Sequence, residues 1–315
     1  MKTALLVMAG YLIDGLVGDP RWLPHPVRGI GWLIDRGERH LNRGGPAARL
    51  VAGAVLTFAV VGVSALVAWG AVTGARLIHP LLGDLVTILG IGLLLARRSL
   101  AEEAGQAVCR PLMDGDLPAA RRAVSWVVGR DTDGLDEREV ARASIETLAE
   151  NLSDGVVAPL LFALVAGLPG IAAYKAINTL DSMIAHRDSR FLYFGRVAAH
   201  LDDGANWLPA RITLLALVAA APLLGRDAGG AWRAALAGGG KHASPNAGWP
   251  EAAMAGALSI RLGGLNNYDG EPSQGPVLNP AGRLPEPTDI PAALALMQAA
   301  SHLVLGVGAL LRALL

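Results

Sequence analysis

Between Leu50 and Ala75 the chain runs for 26 residues without a charge, more than the roughly 20 apolar residues that carry a helix across a hydrocarbon core. Such a run leaves the backbone little choice. Inside lipid no water satisfies its N–H and C=O groups, so it must be helical throughout. Leu77 to Ala96, which includes His79 and Asp84, and Ile290 to Leu311 are also of spanning length. Charged residues make up 17% of the chain, against roughly 25% in soluble domains. Ala, Leu, Val and Gly dominate, as in helices that pack through small side chains within lipid. The expected fold class is all-α: a polytopic integral membrane protein with cytoplasmic helical segments.

Basic and acidic side chains balance at 27 each, so no basic footprint for nucleic acid exists. The one cysteine, Cys109, excludes an internal disulfide and a thiolate zinc cluster, and reads as an inert thiol in a helix. The N-terminal MKTALLVMAGYLIDGLVGD has the short apolar core of a signal peptide. It lacks a small-residue cleavage site and is interrupted by Asp14, so it is expected to stay as a first membrane helix.

No long linker or internal repeat divides the chain, and residues 1–315 read as a single membrane-embedded domain with a cytoplasmic helical insertion over 97–153. One polar segment, Asp19 to Arg49, carries six arginines; another, Arg97 to Ser153, carries eight. The positive-inside rule places both in the cytoplasm and the short turn at Arg76 outside. The uncharged run from Gly155 to Tyr174 is interrupted by Pro169-Gly170, where a helix ends or kinks. A full crossing there would put Lys175, Arg187, Arg190 and Arg196 outside the cell. A re-entrant helical hairpin, down to Pro169 and back, avoids that conflict. Further on, Ile212 to Gly225 is short for a span. LNNYDGEPSQGPVLNPAGRLPEPTDIP reads as a proline-punctuated loop before the last span.

The sequence has no P-loop, no G-x-G-x-x-G, no H-E-x-x-H and no G-x-S-x-G. DTDGLDEREVAR opens like a calcium loop at Asp131 and Asp133, but Asp136 stands where glycine is needed and Arg142 where glutamate is needed. Four polar clusters remain. GDPRWLPHPVRGIG holds Asp19, Arg21, His25 and Arg28, with paired guanidiniums suited to a phosphate; the alternative is a juxtamembrane anchor. An acidic helix brings Glu146, Glu150 and Asp154 to one stripe at four-residue spacing, where like charges repel, with Asp131, Asp133 and Asn151 nearby. A cation such as Mg2+ would neutralise that stripe; the alternative is a solvated face with Arg142 pairing one turn before Glu146. YKAINTLDSMIAH places Lys175, Thr179, Ser182 and His186 on one helical face beside Asn178 and Asp181, and ionisable groups at membrane depth point to function. GGGKHASPNAGWPE carries Lys241, His242, Ser244, Asn246 and Glu251 behind glycines that let backbone approach an anion.

In order along the chain, DGLVGDPRWLPHPVRGIGWLI, RDTDGLDEREVARASIETLAENLSDGVVAPL, YKAINTLDSMIAH, FGRVAAHLDDGANWLPARIT and KHASPNAGWPEAAMAGAL resemble the CobD/CbiB family, adenosylcobinamide-phosphate synthase of cobalamin biosynthesis. The resemblance covers nearly the full chain. It implies an ATP-dependent ligase that joins the propionate of adenosylcobyric acid, a corrinoid, to the amine of (R)-1-amino-2-propanol phosphate. It also implies an active site on the cytoplasmic side of the inner membrane, with contacts to other late cobalamin-pathway enzymes. Within that expectation Glu146, Glu150 and Asp154, with Asp131 and Asp133, would hold Mg2+ and ATP. Arg21, Arg28, Lys175 and Lys241 would hold phosphates, and His25, Asn151, Asn178, Ser244 and Asn246 would line the substrate. Lys175, Asp181, His186 and His242 would serve catalysis, by proton transfer or by positioning the amine. The competing readings are a secondary transporter, which also uses broken helices and buried charges, and a non-catalytic membrane sensor of related sequence.

Overall fold

A computed structural model describes residues 1–18, 25–186 and 188–314. The chain opens with helices α1 (Lys2–Val17), α2 (Pro26–Leu41), α3 (Pro46–Ile78) and α4 (Pro80–Leu94). There follow α5 (Arg97–Leu100), a π-helical turn (Ala101–Gln106), α6 (Ala107–Met113), α7 (Leu117–Ser125) and α8 (Glu137–Asn151). A second π-helical segment (Leu152–Val157) precedes α9 (Ala158–Ile184) and α10 (Arg196–Leu223). Helices α11 (Ala228–Gly238) and α12 (Gly248–Ala257), strands β1 (Leu262–Tyr268) and β2 (Glu271–Leu278), and α13 (Asp289–Leu314) complete it. Five helical stretches are long and apolar enough to cross a membrane, and the protein is an all-α, multi-pass membrane protein. The expected spans fall on α3, α4 and α13. The run expected to be short, Ile212 to Gly225, is the second half of α10, which begins at Arg196.

The contacts divide the chain into two compact units: residues 1–96, 158–206 and 307–315, and residues 97–157 and 207–306. The first unit is built on small residues. A Cβ at Gly10 would lie 2.7 Å from Ile91, and one at Gly53 would lie 1.8 Å from the Phe194 carbonyl oxygen; only glycine lets those backbones approach. Proline opens α2, α3 and α4, where its missing N–H costs nothing. His25 and His79 accept from the backbone N–H two residues on, each at 3.2 Å. In α2 the buried side chains are Ile30, Ile34 and Glu38, a stripe at four-residue spacing. Ile30 and Ile34 pack with Leu56, Val60, Leu180, Ile184 and Phe194, while Glu38 meets Arg190 at 3.0 and 2.7 Å. That guanidinium holds the Glu38 carboxyl below its ordinary range against the opposing effect of burial.

Helix α9 reverses direction. Ala166 (φ −128°, ψ 15°) and Gly167 (φ 63°, ψ −148°) leave helical geometry, and the rings of Phe162 and Tyr174 stand 5.0 Å apart. Along a straight helix twelve residues would separate them by about 18 Å. The chain therefore folds into a helical hairpin just before Pro169, as the run of 155–174 suggested. A Cβ at Gly170 would lie 2.3 Å from the Phe162 carbonyl oxygen, so glycine there lets the two limbs touch.

The second unit holds the one β-sheet among the described residues. The stretch expected to be a loop after Gly264 is an antiparallel hairpin, with Leu262 opposite Leu278 and Tyr268 opposite Glu271. Asp269 and Gly270 both take positive φ, 52° and 80°, the geometry of a two-residue type I′ turn. Gly263 and Gly264 are also left-handed and mark a register shift. Helix α8 begins with a capping box, Asp136 accepting from Glu139 N–H and the Glu139 side chain accepting from Asp136 N–H, each at 2.9 Å.

Candidate active site

Glu146 is the centre of the site, and every group described around it belongs to the second unit. Its Oε2 accepts from Arg130 Nη2; its Oε1 accepts from the Gly263 N–H at 2.7 Å and from Arg142 Nη1 at 3.4 Å. Arg142 also donates to the carbonyls of Gly263 (2.8 Å) and Leu265 (3.0 Å). Asn266 Oδ1 accepts from Arg142 at 3.0 Å and from Arg130. Glu146, Arg130 and Arg142 are each at most a tenth exposed. A buried carboxylate is tolerable when it is paired and hydrogen-bonded, and here two guanidiniums and a backbone amide tie α8 to the bulged start of β1.

That arrangement changes the expected metal site. Glu146, read from the sequence as a Mg2+ ligand, is held by arginine, as the Arg142 alternative allowed. Asp131 accepts from the N–H groups of Asp269 (3.2 Å) and Gly270 (2.8 Å) and so holds the hairpin turn. Asp133 is exposed. Past Asn151 the backbone winds as a π-helix that carries Asp154, its bonds running from i to i+5. Among the described residues no three His, Cys, Asp or Glu side chains converge on a metal position. The five carboxylates do not fit the metal cluster expected of them.

Beside Glu146 opens a polar cavity of about 260 Å³. Arg130, Glu146, Glu150, His242 and Glu251 line it together with the backbone of Gly263, Gly264 and Gly275. Glu251, in the first turn of α12, is buried. Desolvation first, then the charges of Glu150, Glu146 and Asp154, push its carboxyl well above the usual range, with Arg130 opposing. Burial pulls the His242 imidazole below its ordinary value, with Glu146 opposing. His242 Nδ1 accepts from the Ser244 N–H at 3.1 Å. In the neutral ring the proton therefore sits on Nε2, which leaves Nε2–H as a hydrogen-bond donor.

The loop that carries His242 is clamped. Arg211 donates to Asn246 Oδ1 (2.8 Å) and to the Pro245 carbonyl (3.2 Å), and lies over the rings of Trp207 and Trp249 at 4.8 and 4.9 Å. Ser244 Oγ accepts from the N–H groups of Asn246 and Ala247 at 3.2 Å. Ser244 and Asn246 thus shape the loop, and Lys241 is exposed at its start. Asn151 donates to the Thr147 carbonyl of its own helix at 3.1 Å.

The remaining expected residues lie in the first unit. Arg21 and Asp19 fall outside the described residues. His25 caps α2, and Arg28 is exposed on its first turn. On α9, Thr179 and Ser182 donate to the carbonyls of Lys175 (2.6 Å) and Asn178 (3.0 Å), which leaves Lys175, Asn178 and Asp181 as the polar side chains of that face. His186 lies beyond the helix end, exposed, its ring 5.9 Å from Phe191. Arg130 and Asn266 complete the Glu146 site although the sequence gave them no role there, whereas Arg142 was foreseen only as the alternative pairing. Glu251 was visible in its cluster, but nothing local distinguished it.

The fold and site together define a class: an all-α, multi-pass membrane protein with a buried arginine–carboxylate centre beside a polar cavity. The family model described as CobD/Cbib protein matches residues 7–297. The chain is 51% identical over 277 residues to "Cobalamin biosynthesis protein CobD" of Geobacter metallireducens, covering 88% of this chain and 86% of that protein. It is 44% identical to the protein of the same name in Klebsiella pneumoniae and to "Cobalamin biosynthesis protein CbiB" of Salmonella typhi, in each case over 96% of this chain and 95% of the relative. The chain belongs to the CobD/CbiB family. No solved structure is significantly similar to it.

Proposed function

We propose that the chain acts in cobalamin biosynthesis, as the names of its relatives state of them. Its reaction joins the propionate of adenosylcobyric acid to the amine of (R)-1-amino-2-propanol phosphate with ATP hydrolysis. The site would face the cytoplasm at the inner membrane. The observation that carries this reading is the cavity, where a guanidinium and glycine backbone stand near two acids, Glu150 and Glu251. A small molecule with an ammonium at one end and a phosphate at the other matches that charge pattern. The volume of about 260 Å³ suits such a molecule and is far below what a corrinoid ring needs, so the corrinoid would offer only its side chain.

In the chemistry proposed, the propionate oxygen attacks the terminal phosphorus of ATP, giving an acyl phosphate and ADP. The amine then attacks the acyl carbon, the amide bond forms and phosphate leaves. The amine arrives as an ammonium, which the Glu150–Glu251 pair attracts, and it must lose a proton before it attacks. Glu251 must first give up its own proton as the ammonium binds, and its carboxylate can then receive the proton that the amine loses. Arg130 and the Nε2–H of His242 would oppose the charge on phosphate oxygens. No step is assigned through Mg2+ at the acidic stripe, whose residues do not fit a metal cluster.

The test uses purified full-length protein in detergent with adenosylcobyric acid, the aminoalcohol phosphate and ATP. Product mass and phosphate release are followed together. The expected result is corrinoid-dependent phosphate release, falling by about 100-fold or more in Glu251→Gln, the scale of one general acid–base group. Absence of corrinoid-dependent ATP turnover in the wild type would end the reading.

A further inference from the structure

Arg130 reaches the cavity from the irregular loop between α7 and α8, and a loop is a poor mount for a long side chain. Gly129 and Gly134 bracket the segment, and a Cβ at either would meet nothing within 4 Å, so both ends stand clear of their neighbours. Such segments open locally at little cost. The middle is fixed by the tip of the β1–β2 hairpin. The Asp131 N–H donates to the Asn267 carbonyl at 2.9 Å. The two Asp131 carboxylate oxygens accept from the N–H groups of Asp269 (3.2 Å) and Gly270 (2.8 Å). One residue earlier, the Arg130 guanidinium donates to Asn266 Oδ1 and to Glu146 Oε2. Two consecutive loop residues thus grip Asn266, Asn267, Asp269 and Gly270.

The two grips differ in kind. The Arg130 side chain is buried and lines the cavity, whereas Asp131 is exposed and forms no part of the cavity wall. A guanidinium carries five N–H donors in a rigid fork, so the bonds to Asn266 and Glu146 leave donors to spare for a phosphate. Their aim depends on where the Arg130 backbone sits, and the Asp131 clasp next to it sets that position. We infer that Asp131 is a positioning residue for phosphate recognition: without touching the ligand, it holds the backbone that aims Arg130 into the cavity. The inference rests on the reading of that cavity as the site of a phosphate-bearing amine. If Asp131 served the hairpin turn alone, its loss would lower stability and leave phosphate recognition as it was.

Isothermal titration calorimetry on full-length protein in detergent gives affinities for (R)-1-amino-2-propanol phosphate and for the same amine without phosphate. Neither corrinoid nor ATP is present. The wild type is expected to prefer the phosphorylated amine, and Asp131→Ala to reduce that preference by about 10-fold or more, a coupling of the size that neighbouring groups show. Asp131→Asn keeps one side-chain acceptor for the turn and should recover most of it. Asp133→Ala, exposed in the same loop, should leave it unchanged. In an Arg130→Gln background no guanidinium is left to aim, and Asp131→Ala should then change the preference by less than about 2-fold. A preference unchanged in Asp131→Ala, or lowered equally with and without Arg130, overturns the inference, as does a wild type with no preference for the phosphorylated amine. If Arg130→Gln fails to elute as a folded species on gel filtration, Asp131→Ala against Asp133→Ala decides. The ligase reading is judged separately by corrinoid-dependent phosphate release. Turnover that survives with an unmoved preference sinks this inference alone, and a preference that moves without turnover sinks the ligase reading alone.

Discussion

A carboxyl group buried as Glu251 is can lower its cost in two ways: keep its proton, or meet a cation. Desolvation and the neighbouring acids favour the first, because they raise its affinity for a proton. The sign of the consequence follows. A folded-state value above the unfolded one means that deprotonation is disfavoured in the native chain, so stability falls as pH rises past the ordinary glutamate range. Glu251→Gln imitates the protonated form. Its thermal midpoint should therefore exceed that of the wild type at pH ~8 and come close to it at pH ~4; the reverse ordering would mean that Glu251 is ionised and paired. Arg130 obeys the opposite logic. Arg130→Ala leaves Glu146 with one distant guanidinium and an amide, and loss of one partner from a buried pair costs about 3–5 kcal/mol, measurable as a lower denaturation midpoint. These pairings were hard to read in the sequence because Arg130 and Asn266 are 136 residues apart. Spacing along one helix revealed Glu146 and Glu150; it carries no information about a guanidinium delivered from a loop.

Elements were more legible where lipid removes alternatives. Helices α3, α4 and α13 follow from long apolar runs, broken in α4 only by Asp84, and the reversal in α9 follows from Pro169-Gly170 within an uncharged run. The turn itself rests on Gly167, whose φ of 63° and ψ of −148° belong to a region that is essentially reserved for glycine. Gly167→Ala should cost about 1–3 kcal/mol, and an unfolding titration in detergent that shows no loss would remove the hairpin's geometric basis. The β1–β2 hairpin escaped notice because prolines and glycines in Glu271–Leu278 suggest a loop. Tyr268-Asp269-Gly270-Glu271 carried the opposite signal, since Asp-Gly between extended residues is the sequence of a type I′ turn. Asp131 was legible as an acid but its task was not: it serves that turn.

At the level of the whole molecule, five spanning-length helical stretches and the arginine-rich polar segments predict a single orientation in the membrane. With the α9 hairpin returning to the side it came from, the loop after Ile184 is predicted to lie in the cytoplasm. Cysteine placed at position 188, the native Cys109 being buried, should resist an impermeant thiol reagent in intact cells and react once they are permeabilised. Rapid labelling in intact cells would require α9 to cross completely. The hairpin also bears on how the chain is assembled. From Gly155 to Val165 its first apolar limb is only eleven residues, at most about 16 Å of helix, roughly half a hydrocarbon core. During synthesis that limb is too short to be recognised and released sideways into lipid as a span. It has to wait for its second limb, so the two limbs are expected to enter the bilayer as one unit and not one after the other.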